Sequence, residues 1–182
     1  MIRLIRWTAG ALCLIAAAAL VLAAGLPERA AYTGGLQIDG TWRAPEIGAF
    51  APEFSAVGLD GRTVSAESWL GQPAVINFWA TWCIPCEIEL PELIALSENG
   101  VRVVAVNLGE PPAQIQGWLE ARQLAPTPDF MIPLDLTGMI AARYALRGQP
   151  MSFVLAPDGK IAHIFFGATT RSAVESVLAP YR

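Results

Sequence analysis

The stretch Ala74-Val75-Ile76-Asn77-Phe78-Trp79-Ala80 is apolar except for Asn77, and Trp82-Cys83-Ile84-Pro85-Cys86 follows it almost at once. A run this short and apolar predicts a strand covered on both faces. The residues after it, from about Ile84 to Ser97, predict a helix that ends at Asn99-Gly100. Two cysteines separated by two residues at a strand-to-helix junction can switch between dithiol and disulfide. Free backbone N–H groups and the positive end of the helix dipole favour a thiolate on the leading cysteine, Cys83. A thiolate is the attacking species in thiol–disulfide exchange. Cys86, one turn further in, can then close on Cys83 and release a bound partner.

Around this junction the chain reads as a mixed α/β sheet with helices on both faces. Ahead of it lie a short strand near Phe54–Val57, a turn at Asp60-Gly61, Thr63-Val64, and a short helix over Ser65–Leu70 closed by Gly71. After the first helix come a buried strand Val101–Leu108, a helix Ala113–Gln123, and a passage in which Pro126, Pro128 and Pro133 shape a loop. A short helix Met139–Tyr144, strands Ser152–Leu155 and Ile161–Phe166 around the Pro157-Asp158-Gly159 turn, and a last helix Thr170–Leu178 complete the pattern.

The N-terminus is of another kind. Residues 7–26 carry no charge, and Arg3 and Arg6 precede them. This is about the 20 residues a helix needs to cross a bilayer core. Positive flanks stay in the cytoplasm, so the C-terminal part should lie on the far side. A cleaved signal peptide is the competing reading, with Ala23-Ala24-Gly25 as its exit. The expected division is therefore a transmembrane signal anchor (or signal peptide) over 1–26, a tether over 27–44, rich in Gly, Pro and polar residues, and one domain over 45–182.

Of twelve Lys and Arg, Arg3 and Arg6 lie before the apolar run, which leaves ten against sixteen Asp and Glu after it. No basic cluster points to nucleic acid. Only Cys83 and Cys86 follow residue 26. A disulfide that closes so small a loop contributes little as a staple, which favours a redox role. Structural zinc wants four ligands, and His163 and Cys13 are the only other candidates of those types, so neither a metal nor a cofactor is expected.

Three stretches together carry a family resemblance: Ala51-Pro52-Glu53-Phe54 with Leu59-Asp60-Gly61; Asn77 through Pro91; and Gly148-Gln149-Pro150-Met151-Ser152-Phe153 with Pro157-Asp158-Gly159. Residues 45–182 resemble a thioredoxin-fold oxidoreductase, and more narrowly the membrane-anchored TlpA, ResA and DsbE-like group. The resemblance implies that Pro150 is the cis-proline that lies against the cysteine pair, leaving the backbone of Gln149 open to a partner's extended chain. Trp82, Ile84 and Pro85 would share that docking surface, while Trp79 belongs to the core. His163 reads as an ordinary strand residue.

Glu89 stands out among the acids. At 100° per residue it shares an arc with Cys86, Leu93 and Leu96, the side expected to pack inward. A carboxyl in apolar surroundings has a raised pKa and can exchange protons near neutrality. Thioredoxins commonly carry a buried Asp six residues before the first cysteine. Asn77 holds that position here, and a Glu at the place of Glu89 is characteristic of the resembled group. Glu89 is thus expected to assist deprotonation of Cys86, with Cys83 and Cys86 as the redox pair.

Ile84-Pro85 offers no donor or positive charge to stabilise a thiolate. That suggests a potential closer to thioredoxin, about −270 mV, than to DsbA, about −120 mV. The expected role is a reductant on the periplasmic side of a bacterial inner membrane. By resemblance its electrons come from a DsbD- or CcdA-type membrane donor, and go to protein disulfides such as those of apocytochrome c or copper-site assembly proteins. The rivals are a peroxiredoxin-like thiol peroxidase, in which a Thr would stand where Ala80 does, and a redox-switched chaperone or binding module.

Overall fold

The apolar run becomes the central strand. In the computed structural model, which describes residues 36–38 and 40–181 within the unit Thr33–Arg182, Ala74–Trp79 is buried along its whole length. Numbered in chain order, the strands are β1 Leu36–Ile38, β2 Thr41–Arg43, β3 Ala56–Val57, β4 Thr63–Val64 and β5 Ala74–Trp79, then β6 Arg102–Leu108, β7 Phe130–Met131, β8 Leu134–Asp135, β9 Met151–Leu155 and β10 Ile161–Phe166. The α-helices are α1 Ile84–Glu98, α2 Pro112–Ala121, α3 Met139–Arg143 and α4 Arg171–Leu178. The main sheet runs β10-β9-β5-β6-β7, with β8 also on β6. β5 and β6 are parallel, whereas β9 is antiparallel to both β5 and β10.

Alternation along β5 builds two cores. Val75 and Trp79 face one side with Val103 and Ala105 of β6, under Leu90, Leu93 and Leu96 of α1, Ile115 of α2 and Val174 of α4. Ala74, Ile76 and Phe78 face the other with Val104 and Val106, under Phe54, Trp69, Ile140 and Tyr144. Side chains of period two explain this split. The expected sheet with helices on both faces is observed. Trp79 is core, as expected, and its indole N–H donates to the Ala105 carbonyl at 3.1 Å.

Two local readings change. The Pro126–Pro133 passage is more than a loop, because β7 and β8 add to the free edge of β6. Each is only two residues long, and Pro133, which lacks an N–H, lies between them. Within residues 27–44, read as a tether, β1 and β2 pair as a hairpin turning at Gly40, whose φ is +76°. At its end Arg43 pairs with Glu53 at 2.7 Å, and the next residue, Ala44, donates its N–H to the Phe50 carbonyl. The membrane span expected over residues 7–26 lies outside the described residues. Among those described, no helix is long and apolar enough to cross a membrane.

Tyr144 fastens α3 to the segment ahead of β3. Its ring meets Phe153 edge-on at 4.9 Å, and its buried hydroxyl donates to the Pro52 carbonyl at 2.7 Å. Tyr144→Phe keeps the ring and strands that carbonyl, so urea denaturation should register a loss of about 1–2 kcal/mol. An unchanged midpoint would mean that the hydrogen bond contributes nothing.

Candidate active site

β5 ends at Trp79, and Ala80-Thr81-Trp82 carries the chain to Cys83, the N-cap of α1. Cys83 and Cys86 form a disulfide with Cα atoms 5.2 Å apart. Cys86 is fully buried and Cys83 nearly so. Cys83 Sγ accepts the Cys86 N–H at 3.3 Å, and the Cys83 carbonyl accepts the N–H groups of Cys86 and Glu87 at 3.0 and 3.2 Å. Cys83 therefore sits where the orphan donors of the helix start converge. Pro85 occupies the first turn, where its missing N–H costs no helical bond.

Glu89 points inward, as its helical position predicts, and is fully buried. Its surroundings are not simply apolar, however. Oε2 accepts from Asn77 Nδ2 at 2.9 Å, and Oε1 accepts from Ser152 Oγ at 3.1 Å and from the Thr169 N–H at 3.2 Å. Asn77 Nδ2 also donates to Ser152 Oγ at 2.9 Å. Asn77 is thus a donor to this carboxyl, on the same face of β5 as Val75 and Trp79. Burial pushes the Glu89 pKa up to about 7, against the lowering effect of the Ser152, Thr169 and Asn77 hydrogen bonds. Near neutral pH the group is poised to take or give a proton.

A second buried carboxylate, unanticipated from sequence, holds the other flank of the cysteine loop. Glu110, just beyond β6, accepts the Thr81 N–H at 2.8 Å and Asn107 Nδ2 at 2.7 Å on Oε2. Its Oε1 accepts from Gln114 Nε2 at 2.6 Å and from the Thr81 hydroxyl. Ser152 and Thr169 were likewise missed. A sequence signal existed only for Glu110: it is a lone acid at the carboxyl end of a strand parallel to β5, where sites of α/β sheets gather.

The Gln149–Pro150 peptide is cis, as the resemblance implied. Pro150 is buried, Gln149 is half-buried, and the Pro150 carbonyl accepts the Gly167 N–H at 2.9 Å. Trp82 and Ile84 are 67% and 75% exposed, and Pro85 is exposed beside them. The structure thus brings the expected residues of the cysteine motif and Glu89 onto one helix start. Gln149 and Pro150 immediately precede β9, which pairs with β5 through Phe78 and Met151. His163 lies on β10 against Phe165, with ring centroids 4.5 Å apart.

Residues 47–164, well over half of the chain, match the AhpC/TSA family. The chain belongs to that family. Within it, the chain is 31% identical over 139 residues to thiol-disulfide oxidoreductase ResA of Geobacillus thermodenitrificans, spanning 74% of this chain and 78% of the relative. Among solved structures, a DsbE-type thiol:disulfide interchange protein from Chlorobium tepidum superposes with TM-score 0.66 at 27% identity, over 75% of this chain and 97% of that one. StoA from Bacillus subtilis gives 0.59 at 26%, over 69% and 96%. The thioredoxin-like fold and the enzyme class follow. This member of the AhpC/TSA family is a thiol-disulfide oxidoreductase of the ResA/DsbE type.

The raised pKa of Glu89 has a sign. The folded state holds this proton up to about pH 7, whereas the unfolded chain releases it near 4.5. Stability from this group is complete below 4.5 and is lost as pH rises through 7, by about 3 kcal/mol in all. In Glu89→Gln that loss disappears. The stability difference between variant and wild type, from urea titrations of the oxidised proteins, should therefore shift by this amount in the variant's favour between pH 4.5 and 8. A constant difference would mean that Glu89 titrates normally.

Proposed function

We propose that this oxidoreductase is a reductant of partner protein disulfides outside the cytoplasm, with Cys83 as nucleophile, Cys86 as resolving thiol and Glu89 as the proton acceptor for Cys86. The observation that carries the reading is the pairing of a sulfur that caps α1, Cys83, with a buried carboxyl, Glu89, one turn beyond Cys86 on the same helix and poised near neutrality. The Cys83 thiolate attacks one sulfur of the partner disulfide, forming a mixed disulfide and expelling the partner's other sulfur as a thiolate. Cys86 passes its proton to Glu89 and attacks Cys83 Sγ. The partner's second sulfur leaves as a thiolate, and two electrons have moved from the Cys83/Cys86 pair to the partner.

Trp82, Ile84 and Pro85 form the docking rim in this reading, which their exposure supports, and Gln149 and Pro150 join it from the start of β9, the strand that pairs with β5. Ile84-Pro85 supplies no charge or side-chain donor that would stabilise the reduced form and make the pair strongly oxidising. A reductant in an oxidising compartment needs electrons from across the membrane, so we infer a donor of the DsbD or CcdA type. Apocytochrome c or copper-site assembly proteins are the acceptors the resemblance favours. Residues 7–26 would hold the protein to the bacterial inner membrane, with the thioredoxin-like domain in the periplasm.

Equilibration of the full-length protein with dithiothreitol buffers should give a potential near that of thioredoxin, about −270 mV. A value near that of DsbA, about −120 mV, would reverse the direction of flow. In Glu89→Gln, mixed-disulfide formation by Cys83 should be preserved while its resolution by Cys86 slows about a hundredfold at pH 7. Equal resolution rates would remove Glu89 from the mechanism. The AhpC/TSA match favours a thiol peroxidase as the second reading, against which stands Ala80 three residues before Cys83. Peroxide consumption with dithiothreitol as reductant should not exceed background.

A further inference from the structure

α1 is apolar on the side it buries and again on the side it does not. Its inward face carries Cys86, Leu90, Leu93, Ile94 and Leu96. Outside, Ile84 is 75% and Ile88 69% exposed, Pro91 is exposed and Ala95 half-buried. At 100° per residue these four lie within an arc of about 60°, a stripe about 16 Å long. Trp82 stands at its head. Isolated exposed apolar residues are ordinary, but an aligned row on a solvent face is not.

The stripe has a chemical border. Glu87 and Glu98 flank it on one side and Glu92 on the other, and α1 contains no Lys or Arg. Glu87 is engaged by Arg122 at 2.9 Å, and Glu92 accepts the Arg171 N–H at 2.9 Å; Glu98 is exposed. Pro91 has no N–H, so the Glu87 carbonyl beside the stripe lacks its helical donor and can accept one from outside. The stripe begins at the residue after Cys83. A partner cysteine that reaches Cys83 Sγ therefore brings its flanking chain within one turn of Ile84.

We propose that Trp82, Ile84, Ile88 and Pro91 form a recognition strip for the partner segment that flanks the exchanging cysteine. The segment it fits bears large apolar side chains with Lys or Arg beside them. This rests on the reading that the enzyme exchanges disulfides with proteins, and it adds what selects them. With Glu87 already matched by Arg122, the Glu92 and Glu98 carboxylates on the border complement basic residues and disfavour a second copy of the same strip, whose carboxylates would face these.

The test compares two disulfide peptides that differ only beside the cysteine, one with Leu and Lys, the other with Ser and Glu. Exchange with the full-length protein is followed in both directions, so a reversed electron flow leaves the preference readable. Wild type should favour the Leu/Lys peptide about tenfold in kcat/KM. Ile88→Lys, at a site too exposed to disturb folding, should bring the ratio close to one, and Ile88→Leu should keep it. A ratio near one in wild type, or one unaltered by Ile88→Lys, overturns the proposal. So does a concentration-dependent dimer that Ile88→Lys dissociates when wild type shows no peptide preference, since the strip then receives a second copy.

Discussion

The carboxyl of Glu89 ties together the parts of the site that lie far apart in the chain. It sits on α1, takes donors from β5 and β9 through Asn77 and Ser152, and takes a main-chain donor at Thr169 in the segment between β10 and α4. A charged carboxylate without partners in this interior would be costly by several kcal/mol, which is why three donors converge on it. They do not cancel the burial. The result is a group held near pH 7 in the layer that also buries Cys86. Proton exchange and tertiary structure therefore depend on the same three hydrogen bonds.

Glu110 does for the entry to the cysteine loop what Glu89 does behind it. Its carboxylate fixes both the N–H and the hydroxyl of Thr81, two residues before Cys83, to the end of β6 and the first turn of α2. The loop between β5 and α1 is short and must present Cys83 at the helix start, so a displacement of Thr81 would be passed directly to the sulfur. Two buried acids bracket the motif, and they differ in kind. Burial drives Glu89 toward the acid form despite its three donors, while Glu110 gathers four donors, two of them from Thr81 in the cysteine loop itself.

Much of this is legible in the sequence. The two apolar runs could only be covered strands, and Ala74–Trp79 and Arg102–Leu108 are the paired centre of the sheet. Helical periodicity alone put Glu89 beside Cys86. The partners of Glu89 were not legible, because Ser152 and Thr169 lie 63 and 80 residues away and reach it only through the strand order. β7 and β8 were hidden by their prolines and their brevity, since they exist by pairing with β6 rather than by propensity. The β1–β2 hairpin was a different kind of miss. Asp39-Gly40 between Leu36-Gln37-Ile38 and Thr41-Trp42-Arg43 is a good two-residue turn signal, which the surrounding Gly and Pro obscured.

Residues 88 and 89 show where patterning alone gives the wrong side chain for the place. Hydrophobicity would put the isoleucine inside and the glutamate outside, yet α1 buries Glu89 and leaves Ile88 to solvent. Exchanging the two would satisfy every local rule and would remove both the buried carboxyl and the outer apolar stripe. Each violation has its own cost, the one in desolvating a carboxyl, the other in exposing a large aliphatic surface. Costs of this sort concentrate where a chain serves chemistry rather than stability. Both fall within two turns of Cys83, on the helix that the redox sulfur itself begins.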